Sequence, residues 1–328
     1  MEALFIGQAY IDVTFLTDRM PTGDEKHVAS AYAISFGGNA VTAAFCCAKL
    51  GIVPELLATV ADDWLGRMFL DMAAEYGILV HPRKVKTSSL SFVMPNNGQR
   101  AIVRCRDDDY FNPFPRLNLS GCRALHVDGH QADAAMYYAK AAREAGILTS
   151  LDGGGLRSNT HELLSFIEVA IVSERLCEQM AFEPTGMLEY LKSRGCRIGG
   201  VTLGQRGLVW YDEAGTVQTL PAVVVPEDRV IDTSGAGDVF HGASIPISPM
   251  RQNLGRSTSI LLALPPPTRS SISVTKQVYQ PLPTSPQFKL ASKPVVPALN
   301  RDADSFLALP CLPFFSFSIE RLAIRYDR

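Results

Sequence analysis

From residue 1 to about 243 the hydrophobic positions follow two alternating rhythms. Short apolar runs without a polar face, LFIGQAY, ELLATV, ALHVDG, LTSLDGG, EVAIVS and VTLG, have the pattern of strands buried on both sides. Between them lie amphipathic stretches: Asn39 to Leu50, a segment through Phe69 and Met72, and Ala132 to Ala145. Each is followed by a glycine, Gly51, Gly77 and Gly146, the residue that most readily takes the left-handed turn closing a helix. Strands alternating with helices of about 10 to 15 residues predict an α/β fold with a mostly parallel sheet and helices on both faces. Two segments break the rhythm. Val28 to Phe36 and Ser89 to Arg106 alternate with period two, the second around the turn signal Asn96-Asn97-Gly98, and they predict antiparallel hairpin strands in a small accessory sheet.

Composition narrows the class. With 328 residues, 47% hydrophobic and 20% charged, the chain suffices for one large domain or two modest ones. Its 31 basic and 33 acidic side chains leave a net charge of -2 and no basic run that would mark a nucleic-acid or anionic-membrane partner. The apolar stretches fall short of the ~18 residues of a spanning helix, and the N-terminus lacks a basic region ahead of its apolar run. Seven cysteines without C-x-x-C or Cys/His ligand spacing indicate neither a disulfide framework nor a zinc site, and suit a reducing compartment. The expectation is a soluble cytoplasmic protein. The six histidines, His241 among them, have no ligand spacing and are expected in core or surface roles.

Candidate chemistry concentrates at Asp232-Thr233-Ser234-Gly235-Ala236-Gly237-Asp238. Small residues after a strand-like run turn the backbone sharply, and Val239-Phe240 predicts a helix starting there. Free N–H groups and the positive end of the helix dipole would meet an anion such as a transferring phosphate. Asp238 would then accept the proton of an attacking hydroxyl, while the amides of Gly235, Ala236 and Gly237 hold the developing charge. The alternative is a glycine-rich turn in which the aspartate caps the helix. No Gly-Lys-Ser/Thr follows, so the segment is not a P-loop. A second cluster, Gly37-Gly38-Asn39, also precedes a helix; Asn39 either caps it or turns its amide toward substrate hydroxyls. Asp12, read at the end of the first strand, is the matching candidate for a vicinal diol, or else a turn aspartate.

Four segments resemble the ribokinase-like (PfkB) carbohydrate kinases: Gly37-Gly38-Asn39; Val60-Ala61-Asp62-Asp63-Trp64-Leu65-Gly66; Val201-Thr202-Leu203-Gly204-Gln205-Arg206-Gly207; and Asp232 to Asp238. They occur in the family's order and span nearly all of residues 1–243. The resemblance implies phosphoryl transfer from ATP with Mg²⁺ to a hydroxyl of a sugar or sugar acid. Asp238 would be the base, the Gly235 to Gly237 amides the anion hole, and Asp12, Gly38 and Asn39 the sugar contacts. Thr202, Gly204, Gly207 and Thr233 would meet the nucleotide. The accessory strands, in segments about 9–36 and 88–106, would be a lid over the sugar, shared across a homodimer. Where many members carry Asn-x-x-Glu ahead of the nucleotide, this chain reads Ser173-Glu174-Arg175-Leu176, so Glu174 is the nearest remaining carboxylate. The run Asp107-Asp108-Asp109 reads as a solvated loop. A nucleoside is the alternative acceptor.

After Ala243 the composition changes. Residues 1–243 hold 24 of 25 Gly, 29 of 33 acids and 9 of 21 Pro; the last 85 residues hold one Gly, four acids and 12 Pro. Breakers throughout SIPISPMRQNLGRSTSILLALPPPTRSSISV preclude the helices that the resemblance calls for. Shifting the reading frame back by one base, with permissible codon choices, turns Ser244 to about Pro283 into an amphipathic helix, a loop, an Ala-rich helix and a Gly-Leu-Pro turn. The sequence therefore divides into a kinase domain, 1–243, and an out-of-frame, irregular tail, 244–328, with activity lost in the chain as written. A non-catalytic sugar-binding remnant is the competing outcome.

Overall fold

The computed structural model describes residues 1–96, 99–111, 113–222 and 235–245. Thr233, the Asn97-Gly98 turn and the expected tail beyond Ile245 lie outside the described residues. In chain order the elements are β1 (Ala3–Gly7), β2 (Tyr10–Leu16), β3 (Ala31–Gly37), α1 (Asn39–Lys49), β4 (Pro54–Ala61), α2 (Trp64–Glu75) and β5 (Leu79–Val85). There follow β6 (Leu90–Asn96), β7 (Gln99–Cys105), β8 (Ala124–Val127), α3 (Ala132–Glu144), β9 (Leu148–Gly153), α4 (Thr160–Leu163) and β10 (Val169–Ser173). The last are α5 (Glu174–Gln179), α6 (Pro184–Ser193), β11 (Ile198–Thr202), β12 (Leu208–Tyr211), β13 (Val217–Leu220) and α7 (Ala236–Ser244).

Nine strands form the main sheet in the order β13-β12-β11-β10-β9-β8-β1-β4-β5. From β5 to β11 all pairs are parallel, and β12 and β13 add an antiparallel edge. Every residue of β1 is buried, and its side chains divide between two cores as period two requires. Leu4 and Ile6 pack with Tyr138, Leu176 and Leu188 from α3, α5 and α6. Ala3 and Phe5 pack with Val41, Phe45, Phe69 and Met72 from α1 and α2. The apolar runs without a polar face are thus strands covered on both sides.

The accessory strands form a separate four-stranded sheet, β3-β2-β6-β7. One expectation changes here. Asp12 does not end a strand of the main sheet; β1 stops at Gly7, and Asp12 is the third residue of β2 in the four-stranded sheet. The apolar run LFIGQAY continues through the break, so its hydrophobicity hid the change of sheet. The Val60 to Gly66 segment is explained by its turn: Asp63 caps α2 by accepting from the Gly66 amide at 2.8 Å. A Cβ on Gly66 would stand 2.1 Å from the Ala61 carbonyl oxygen, so only glycine fits.

Candidate functional site

The site lies where β1, β8 and β9 end, beside the four-stranded sheet. Asp128, just past β8, is buried. Its carboxylate accepts from the Ala40 amide at 3.2 Å and the His130 amide at 3.0 Å, and His130 Nδ1 lies 3.0 Å away. Burial opposes its ionisation, but the charges of His130 and Arg157 and these hydrogen bonds prevail, holding it at about 2. Gly7 is required beside it, because a Cβ there would lie 2.4 Å from Asp128 Oδ2.

Asp152, on β9, is the junction of the site. Its Oδ2 accepts from Asn39 Nδ2 at 3.0 Å, and its Oδ1 lies 3.5 Å from His241 Nε2 on α7. Burial raises its pKa to about 6; the bond from Asn39 pulls the other way, and the neighbouring Asp128 charge adds to the rise. His241 is lowered to about 4 by burial, although the Asp238 charge favours its protonation. Its ring packs 5.3 Å from that of His126, whose pKa burial and the His241 charge lower to about 3. Both rings are therefore neutral at physiological pH.

Asn39 opens α1 but does not cap it. Gly38 holds the cap position at φ 108 without a side-chain bond, and a Cβ on Gly38 would meet the Gln8 carbonyl oxygen at 2.0 Å. The Asn39 amide is thereby free to reach Asp152. Asp12 reaches the same corner: a Cβ on Gly37 would lie 2.4 Å from its Oδ2. The chain thus carries Gly37-Gly38 because a carboxylate crosses one glycine and a backbone carbonyl the other.

The helix expected from Asp238 begins two residues earlier, at Ala236, with Gly235 left-handed at φ 78. Asp238 is its third residue. The first amides of an α-helix have no partner within the helix, and nothing lies within 4 Å of where a Cβ on Gly237 would stand. That open, positive helix start fits the phosphates of ATP. Helix α7 is seated on α1 at Gly242, where a Cβ would meet the Ala43 carbonyl oxygen at 2.5 Å, and Cys47 Sγ donates to the Gly242 carbonyl at 3.0 Å.

The residues expected at the nucleotide lie around the turn after β11. Leu203 donates to the Gly207 carbonyl at 2.8 Å, and Thr202 Oγ1 reaches the Val172 carbonyl at 3.4 Å. Gly204 and Gly207 have φ of 58 and 93, and a Cβ on Gly207 would stand 2.1 Å from the Leu220 carbonyl oxygen. Glu174, the first residue of α5, pairs with Arg206 of this turn. Among the described residues no three acidic, His or Cys side chains could hold a metal ion together. Asp107, expected in a solvated loop, accepts from the amides of Thr87 at 2.8 Å and Asp109 at 2.9 Å and so orders that loop.

Sequence reasoning missed Asp128 and Asp152. Both follow apolar strand runs, in LHVDG and SLDGG, and a carboxylate at the end of a buried parallel strand was the available signal. His241, expected in a core or surface role, is buried but touches Asp152.

Comparison with known proteins agrees with this fold. Residues 2–246 match the pfkB family carbohydrate kinase pattern. A ribokinase from Lactococcus lactis is 25% identical over 289 residues, covering 83% of this chain and 90% of that protein. The crystal structure of a putative ribokinase from Agrobacterium tumefaciens superposes with a TM-score of 0.66 at 27% identity, covering 74% of this chain and 82% of that one. Arabidopsis thaliana ribokinase, complexed with ribose and ATP, gives a TM-score of 0.61 at 22% identity, covering 74% and 84%. With a ribokinase-like fold and a family match over most of its length, this chain belongs to the pfkB family of carbohydrate kinases.

Proposed function

We propose that the fold carries ATP-dependent phosphorylation of a sugar hydroxyl, with Asp238 as the general base. The observation that carries this reading is the Asp152 junction. Asp152 ties Asn39, a sugar contact, to His241, one turn along α7 from Asp238. An acceptor hydroxyl held at Asn39 would therefore face the helix start that receives the phosphoryl group. Asp12, Gly38 and Asn39 would orient the sugar, and Asp238 would take the proton of the attacking hydroxyl. The amides of Gly235, Ala236 and Gly237 would hold the charge on the transferred group. The Thr202 to Gly207 turn, with Thr233, would border the nucleotide. ATP supplies the phosphoryl group and Mg²⁺ charge neutralisation; Glu174, engaged by Arg206, is the carboxylate nearest that region.

The lid supports a homodimer. On its face opposite Asp12, Phe15 stacks on Phe92 at 6.2 Å and lies 6.4 Å from Tyr32. Tyr32, Phe92 and Val103 are exposed there, an apolar patch suited to a second lid. For residues 244–328 the composition supports the out-of-frame reading, and with it loss of phosphoryl transfer in the 328-residue chain.

The test is sugar-dependent ADP release, measured on this chain and on one with the frame restored after Ala243. The restored chain should turn over and the 328-residue chain should not. Turnover by both removes the frame argument, and turnover by neither with any sugar removes the kinase reading. In the restored chain Asp238→Asn should lower kcat by about 10² or more and leave sugar affinity within a few-fold.

A further inference from the structure

Among the described residues the chain passes between the nine-stranded and the four-stranded sheet at four places: after β1, after β3, after β5 and after β7. All four passages meet at Gln8. Gln8 lies on the first of them, between Gly7 of β1 and Tyr10 of β2, and is fully buried. Its carbonyl oxygen fills the space over Gly38, the residue between β3 and α1, where a Cβ would stand 2.0 Å from it. Its Nε2 donates to Ser89 Oγ, on the way from β5 to β6, at 2.9 Å, and to the Asp107 carbonyl, on the way from β7 to β8, also at 2.9 Å.

Those two bonds use both hydrogens of the side-chain amide. A carbonyl can only accept, so the contact with Asp107 fixes which end of the amide is the nitrogen. Oε1 is buried and has no hydrogen-bond partner among the described residues, an arrangement that costs stability. What the glutamine supplies in return is direction, since one planar group spaces three separate passages of chain.

The neighbouring bonds tie the same passages together. Ser89 Oγ also accepts from the Asp107 amide at 3.2 Å, and Asp107 Oδ2 accepts from the Thr87 amide at 2.8 Å and the Thr87 hydroxyl at 3.1 Å. On the side of the main sheet, Ser88 donates to Asp63 from its amide at 2.9 Å and from its hydroxyl at 2.6 Å, and the Ala9 amide donates to Thr59 Oγ1 at 3.2 Å. The two linkers of the β6-β7 hairpin thus form one unit, and Gln8 joins that unit to Gly38.

The sugar contacts lie on either side of this joint. Asp12 is four residues beyond Gln8 on β2, in the four-stranded sheet, and Asn39 follows Gly38 at the start of α1. Their separation is set where the chain crosses. We infer that Gln8 is a positioning residue for the sugar: through Gly38, Ser89 and Asp107 it holds Asp12 at a fixed distance from Asn39, so that one ligand can use both. This rests on the sugar-kinase reading.

Isothermal titration of the full-length chain tests it. D-ribose, D-fructose, D-glucose and D-gluconate are titrated in turn, and the one that binds most tightly is carried through the variants, with Tm measured for each. Gln8→Met, of similar length but without a donor, should weaken that sugar by about tenfold, the worth of one well-made hydrogen bond. Ser89→Ala removes one of the two acceptors of Gln8; it should weaken binding by about threefold and add little on top of Gln8→Met, because both act through one contact. If Gln8→Met does not fold, Ser89→Ala decides. Thr87→Val removes a hydroxyl bond between the linkers that does not pass through Gln8, and it should lower Tm while leaving affinity within about twofold. If Gln8→Met and Ser89→Ala lower Tm but bind the sugar as the parent does, or if Thr87→Val weakens binding as much as they do, Gln8 is structural alone; the inference falls and the kinase reading stands. If none of the sugars binds the parent, the kinase reading falls and the inference with it.

Discussion

Replacing Asp152 with asparagine should stabilise the protein at neutral pH. Asp152 is fully enclosed, with its carboxylate between the Asn39 amide and the His241 ring, and its pKa is raised from 3.8 to about 6. A carboxyl with a raised folded-state pKa binds its proton more tightly folded than unfolded. It therefore costs nothing at low pH and weakens the fold as pH climbs from the unfolded value through the folded one. Between those two values the linkage amounts to roughly 3 kcal/mol at pH 7.5 and roughly 1 kcal/mol at pH 4.5. Asparagine resembles the protonated acid: its oxygen still accepts from Asn39, and it carries no charge. Asp152→Asn should then gain up to about 3 kcal/mol at pH 7.5 and about a third of that at pH 4.5. For a domain of this size each kcal/mol moves Tm by about 2–4 °C, so thermal denaturation against pH is a sufficient assay. A variant less stable than the parent at pH 7.5, or one whose gain is the same at both pH values, would refute the argument that Asp152 is a buried charge held at a cost.

Other consequences follow from single contacts. Asn39→Ala should weaken sugar binding by about 1–3 kcal/mol in titration; it should also lower Tm, because Asp152 Oδ2 loses its 3.0 Å donor. A fall in Tm with unaltered affinity would make Asn39 structural. Gly242→Ala should cost about 1–3 kcal/mol in denaturant unfolding, since its Cβ would meet the Ala43 carbonyl oxygen at 2.5 Å and push α7 off α1. Phe92→Glu should shift sedimentation toward monomer if the lids pair, with Tm little changed because Phe92 is 40% exposed.

Much of this molecule was legible in its residues. Local rules sufficed for the sheet, because a parallel strand covered on both faces must be continuously apolar and a helix ending on glycine announces itself, as at Gly51, Gly77 and Gly146. Three of the four motifs were legible for a similar reason: turns that bring backbone close to a neighbour tolerate only glycine, and Gly38, Gly66 and Gly207 each face a carbonyl oxygen at about 2 Å from a notional Cβ. What sequence could not decide was which residues meet across long separations. Asp12 read as the end of a central strand until strand pairing placed it in the accessory sheet, because hydrophobicity runs unbroken from β1 into β2. Asn39 read as either a helix cap or a substrate contact until Gly38 took the cap position and Asp152, 113 residues away, took its amide. His241 carried no spacing signal and Asp128 only its place after an apolar strand run, since their roles arise when β8, β9 and α7 converge at one end of the sheet. Strand and turn formation are governed by neighbours in the chain, and the charge of a buried group by neighbours in space.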